Sequence, residues 1–123
     1  MFVLMKMSIS FYVLLACCLC LCACREGRYP RVLLQADSLA GVMPDSALRL
    51  LGGWADSVWE APEQVQMYYR LLTVKAADKA YITHTSDSLI RLVLDYYEQE
   101  GDRRLLPEAY YYAGRVYRDL GVT

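Results

Sequence analysis

His84 is the only histidine in the 123-residue chain. Its setting, Thr83-His84-Thr85, is where a general base or an imidazole ligand could be offered. A metal site would need further nitrogen or sulfur ligands nearby, and neither a second histidine nor a cysteine occurs in that part of the chain. His84 therefore reads as a turn residue with a solvent or capping role. Ser86-Asp87-Ser88 sets hydroxyls beside a carboxylate, but an activated serine sits on a sharp strand-to-helix turn, and helix capping accounts better for this triplet. Asp95, Glu98, Glu100 and Asp102 form an acidic run without the ligand spacing of a calcium loop, as expected of a solvated helix end. No glycine-rich phosphate loop is present. These residues assign no catalytic group, no metal and no cofactor, and the chain reads as a binding protein rather than an enzyme.

All five cysteines (Cys17, Cys18, Cys20, Cys22 and Cys24) fall in one N-terminal segment. Disulfides within the remaining body are therefore excluded whatever the redox compartment. Lys6 is the only charge before Arg25, and the stretch between them is apolar. A short basic region followed by an apolar run is the pattern of an export signal, with a membrane anchor of about 20 residues as the competing reading. The cysteine pattern resembles the lipobox of bacterial lipoproteins, in which a Leu-x-Ala/Gly-Cys tetrapeptide ends the signal and the cysteine is lipidated. Leu14-Leu15-Ala16-Cys17 and Leu21-Cys22-Ala23-Cys24 both fit. Cleavage before Cys24 removes the whole apolar run, so Cys24 is the expected lipidation site. The implied organisation is a signal at 1–23, a tether at 24–30 and a folded domain at 31–123.

From Cys24 onward the chain carries twelve Lys/Arg and fourteen Asp/Glu. That near-balance supplies no basic footprint for nucleic acid and no polybasic patch for a membrane surface. Ten of the eleven tyrosines lie in this body, with adjacent sets at Tyr68-Tyr69, Tyr96-Tyr97 and Tyr110-Tyr111-Tyr112. Neighbours on a helix point about 100° apart, so each set should have one buried member and one at a surface or groove. Tyrosine suits both places, offering a rigid apolar ring and a polar tip.

The elements that must position these residues are helices. Apolar residues recur at spacings of three and four in Val32, Leu33, Ala36, Leu39 and Ala40, a first helix closed by Gly41. Pro44-Asp45 opens a second through Ala47, Leu50, Leu51, Trp54 and Val58, with a bend or break expected at Gly52-Gly53. The third starts at Ala61-Pro62-Glu63 and runs to about Tyr81, its face set by Val65, Tyr68, Tyr69, Leu72 and Ala76. Thr85 or Ser86 is the expected N-cap of a fourth helix carrying Leu89, Leu92, Val93, Tyr96 and Tyr97 and closed by Gly101. Pro107 opens a fifth, with Ala109, Tyr110, Ala113, Val116, Tyr117 and Leu120 on its face. Five amphipathic helices without alternating strand patterns predict an all-α domain.

Tyr110, Ala113-Gly114, Tyr117 and Gly121 resemble the first half of a tetratricopeptide repeat (TPR). The order Ala36-Asp37-Ser38-Leu39, Pro44-Asp45-Ser46-Ala47-Leu48 and Asp78 to Ile90 is similar to tetratricopeptide lipoproteins of Bacteroides-type bacteria. This resemblance implies antiparallel helix-turn-helix repeats and the N-terminal part of a longer protein. It also implies an unpaired repeat face at Tyr110, Ala113 and Tyr117, where a partner would bind. The function it implies is a lipid-anchored cell-envelope scaffold for a protein or peptide. The alternatives are the sensor-side piece of a TPR-containing signalling or transcriptional regulator, and a carbohydrate-uptake lipoprotein. The last would need aromatic platforms on exposed loops.

Overall fold

A computed structural model of the chain describes residues 29–121. The expected signal at 1–23, the Cys24 lipidation site and most of the tether lie outside the described residues. Five α-helices follow: α1 (Arg31–Ala40), α2 (Pro44–Gly53), α3 (Glu63–Lys79), α4 (Ser88–Gln99) and α5 (Leu106–Asp119). A short 3-10 turn, Val58–Glu60, lies between α2 and α3. Consecutive helices pack antiparallel, as short connections require, and residues from Arg31 onward form one compact unit.

The five helices are organised around α3. It packs against α1, α2, α4 and α5, whereas the backbones of α2 and α4, and those of α1 and α5, do not come close to each other among the described residues. The odd-numbered helices therefore form a row with α3 in the middle, and the two even-numbered helices lie separately against it. This explains a difference from the sequence pattern. A narrower face was expected on α3, but Val65, Met67, Tyr68, Leu71, Leu72, Val74 and Ala76 are all buried, and at about 100° per residue they cover an arc of roughly 200°. A surface stripe suits a helix with one neighbour, and α3 has four.

On one side, Leu33, Ala36 and Ala40 of α1 and Ala47 and Leu51 of α2 are buried where these helices meet each other and α3. The alanines let the backbones approach closely. On the other side, Met67, Leu71 and Val74 of α3 pack with Ile90, Val93 and Tyr97 of α4 and Ala109, Tyr112, Ala113 and Val116 of α5. Each fully buried aliphatic side chain here contributes about 1.5–3 kcal/mol.

The expected break at Gly52-Gly53 is present: α2 ends at Gly53 and the chain turns through Trp54–Ser57. The N-cap of α4 is Asp87 rather than Thr85 or Ser86. Ser86 still uses its hydroxyl locally, accepting from the Ser88 N–H at 3.2 Å, a side-chain turn that precedes the helix. Gly101 closes α4 with φ +84°.

The end of α3 departs from the usual chemistry. Ile82 N–H donates to Ala77 O and Tyr81 N–H to Asp78 O, the paired bonds of a Schellman closure. The left-handed position of that motif normally holds glycine. Here it holds Tyr81 at φ 61°, with the residue 93% exposed.

Candidate functional site

The row of α1, α3 and α5 is joined by one cation. Lys75 Nζ of α3 donates to Asp37 Oδ1 of α1 and to Glu108 Oε1 of α5, both at 2.7 Å. The Tyr68 hydroxyl donates to the other oxygen of Asp37 at 2.6 Å. Burial pulls the Lys75 ammonium down, but hydrogen bonds and attraction from the two carboxylates outweigh it and hold its pKa above the ordinary value.

Asp78, one turn below, is buried and forms a second junction. Arg115 Nε of α5 lies 3.1 and 3.2 Å from its two oxygens, and this carboxylate raises the Arg115 pKa. His84 Nε2 lies 3.2 Å from Asp78 Oδ1, and the His84 backbone N–H donates to Asp119 Oδ2 at 3.0 Å. That N–H bond lowers the Asp119 pKa. The expectation of a solvent-facing or capping His84 is corrected: its side chain is 8% exposed and ties the α3–α4 connection to α3, while its backbone N–H ties it to α5. The signal was weak in sequence because Asp78 and Asp119 lie six and thirty-five residues away.

Asp95, Glu98, Glu100 and Asp102 do not converge. Asp95 and Glu100 line a shallow depression between α3 and α4, and Glu98 holds the Tyr110 hydroxyl, raising its pKa. Asp102 is buried and accepts from Arg104 Nε and Nη2 at 3.1 and 2.7 Å, unlike the solvated position expected for it. No group of histidine, cysteine and carboxylate residues suited to a metal occurs among the described residues.

The tyrosine sets divide as the helical spacing implies. Tyr68, Tyr97 and Tyr112 are buried, Tyr69 and Tyr96 are half-buried, and Tyr110 and Tyr111 are exposed. On α5 the buried face is Ala109, Tyr112, Ala113 and Val116, so Tyr112 takes the core position expected for Tyr110. Of the three residues expected to share an unpaired face, Ala113 is 5% exposed and belongs to the core. Tyr110 and Tyr117 flank it toward α4. Tyr117 donates to Asp87 Oδ2 at 3.2 Å, and burial, then this bond, raises its pKa. The two hydroxyls thus face the N-cap and the last turn of α4, with Gly114 between the two residues on the same stripe. A Cβ built on Gly114 meets nothing within 4 Å.

Two further features lie at opposite ends of α3. At its start, Trp59 on the α2–α3 connection is 56% exposed and carries the Arg70 guanidinium 5.0 Å from its ring centre. At its end, Tyr81, Ile82, Arg115, Arg118 and Asp119 line a cleft of about 180 Å3. Arg118 is 62% exposed and stands 3.9 Å from Asp119. Sequence reasoning missed both Tyr81 and Arg118. The signal available was a tyrosine, not a glycine, just after the last periodic residue of α3.

Comparison with protein-family models, with curated proteins and with solved structures finds no match.

Proposed function

We propose that the chain is a non-catalytic helical-repeat module of the tetratricopeptide type, exported and lipid-anchored through Cys24, that binds a protein or peptide partner in the cell envelope. The observation that carries this reading is the row of α1, α3 and α5 joined through Lys75, with α2 and α4 each packed on α3 but not on each other. Stacked helix pairs produce this arrangement, and repeat scaffolds use the extended surfaces it creates for binding. The half-repeat spacing on α5 supports the same reading: Ala113 is buried at a helix contact, while Tyr110 and Tyr117 border a side of α5 where Gly114 leaves open space. His84 and Asp78 are engaged with each other and with α5, which favours a structural role over catalysis.

The test is selection of short peptides from a display library against the full-length chain in detergent. Enriched peptides that bind in solution, and that are weakened by Tyr110→Ser or Tyr117→Ser, are the expected outcome. Failure to enrich any peptide class would remove the reading. Mass spectrometry of the mature N-terminus tests the anchor: a lipid-modified Cys24 is expected, and an intact Met1 would refute it.

Trp59 favours a second reading, a carbohydrate-binding lipoprotein, because it supplies the exposed aromatic platform on a connection that sugar stacking requires. Quenching of tryptophan fluorescence by oligosaccharides, abolished in Trp59→Ala, would support that reading over the first.

A further inference from the structure

We infer that the corner formed by Tyr81, Ile82 and Arg118 is the specificity determinant of the module, and that it selects peptide segments in which an acidic side chain neighbours an apolar one. The inference rests on the peptide-binding reading above and names where and by what chemistry the peptide is chosen.

Tyr81 holds a left-handed backbone, φ 61°, in a Schellman closure where glycine carries no steric cost. For a residue with a Cβ that conformation costs about 1–2 kcal/mol. Nothing inside the fold is gained by the ring, since the residue is 93% exposed. The left-handed backbone sets the direction of the Cα–Cβ bond, which leads the side chain into solvent. Ile82 beside it is 51% exposed, so the α3–α4 connection presents an aromatic and an aliphatic side chain together at the mouth of the cleft.

The polar walls of that cleft decide the charge of its occupant. Asp78 accepts from Arg115 and His84, and Asp119 accepts the His84 N–H through Oδ2, while its Oδ1 faces Arg118 and its side chain is 20% exposed. Among the described residues, the guanidinium of Arg118 has a long contact with Asp119, 3.9 Å through Nη2. A guanidinium has five N–H donors in a planar fork suited to a carboxylate. The most accessible charged group in the cleft is therefore a cationic donor, Arg118 at 62% side-chain exposure against 20% for Asp119 and 8% for Asp78, next to an exposed apolar pair. An Asp or Glu side chain seated on Arg118, with an adjacent apolar side chain on Tyr81 and Ile82, satisfies both. A basic segment would meet the same guanidinium without gain.

The test titrates the full-length chain in detergent with three short fluorescent peptides blocked at both ends. One alternates Asp with Phe and Leu, one has Lys in place of Asp, and one has Ser in place of Phe and Leu. The first is expected to bind, with the other two weaker by about tenfold or more, and Tyr81→Gly and Arg118→Gln are each expected to weaken the first by about tenfold, the range of an anchor residue. Tyr81→Gly should at the same time raise the melting temperature, an outcome a merely structural role for the ring would reverse. Equal binding of the Lys peptide, or unchanged affinity in both variants, overturns the proposal. If the acidic peptide binds and only Tyr110→Ser or Tyr117→Ser weakens it, peptide binding survives and this corner is refuted. If neither these peptides nor a display library yields a ligand, both readings fall.

Discussion

Lys75 and Asp37 are thirty-eight residues apart in sequence, yet Nζ and Oδ1 meet at 2.7 Å. The pair ties the middle helix of the row to the first, and Glu108 extends the tie to the last. The ammonium is mostly shielded, at 14% side-chain exposure, while the carboxylates are 29% and 35% exposed. Lys75→Met should therefore cost about 1–2 kcal/mol in urea unfolding, more than a surface pair but less than a fully buried one. Asp37→Asn combined with Lys75→Met should cost less than the sum of the two singles. Because the folded-state pKa of Lys75 is raised, its contribution is fully present below the ordinary lysine range. It is lost as pH rises through the folded value. The alkaline limb of the stability curve should flatten in Lys75→Met.

Glycines at two positions should respond oppositely to alanine. At Gly101 the backbone has φ +84° and a Cβ would stand 2.6 Å from Tyr96 Cε1. Gly101→Ala should destabilise the domain by about 1–3 kcal/mol, from left-handed strain plus displacement of the ring. Gly114 lies within α5 with open space around the site, so Gly114→Ala should stabilise by about 0.5–1 kcal/mol. Thermal melts of both variants check the pair, and a destabilised Gly114→Ala would contradict the helical placement of this stripe.

Acid sensitivity should depend on Asp119. Its pKa is depressed by the His84 N–H, so its stabilising contribution is present above the ordinary carboxylate range and disappears as pH falls through the folded value. Asp119→Asn should weaken the tie between α5 and the α3–α4 connection at neutral pH. The difference from the parent chain should narrow in acid. Amide exchange at His84 reads this directly: faster exchange in the variant at neutral pH, with the two chains converging at low pH.

Leu71 is fully buried at the contact of α3, α4 and α5. Leu71→Ala should cost about 2–5 kcal/mol through lost transfer energy and the cavity left behind. Leu34→Ala, at a position 44% exposed on α1, should change stability by less than about 0.5 kcal/mol. Equal effects of the two would contradict the central position of α3.

The helices themselves were legible from local chemistry. Gly41, Pro44, Gly52-Gly53, Pro62, Gly101 and Pro107 mark boundaries through backbone rules that act within a few residues, and the structure places its helix ends beside them. Period-three-and-four spacing likewise identified most of the buried side chains of α1, α4 and α5. The spacing placed Tyr110 on the buried face of α5 where the structure has Tyr112, because three adjacent tyrosines are equivalent until the direction of α4 and α3 is known.

What only the tertiary structure decided was which helices become neighbours and which charges meet. The broad buried face of α3 follows from its place in the row, and no local pattern records how many partners a helix will have. Lys75 with Asp37 and Glu108, and Asp78 with His84 and Arg115, join residues from separate elements, so sequence reading saw isolated charges and a turn histidine. Tyr81 is the sharpest case. Its composition suggested only the end of a helix, while the left-handed backbone and near-complete exposure that single it out exist only once α3 has closed on the carbonyls of Ala77 and Asp78. Local backbone preferences determined where this chain is helical. Packing around α3 decided which side chains are buried, paired or left facing solvent.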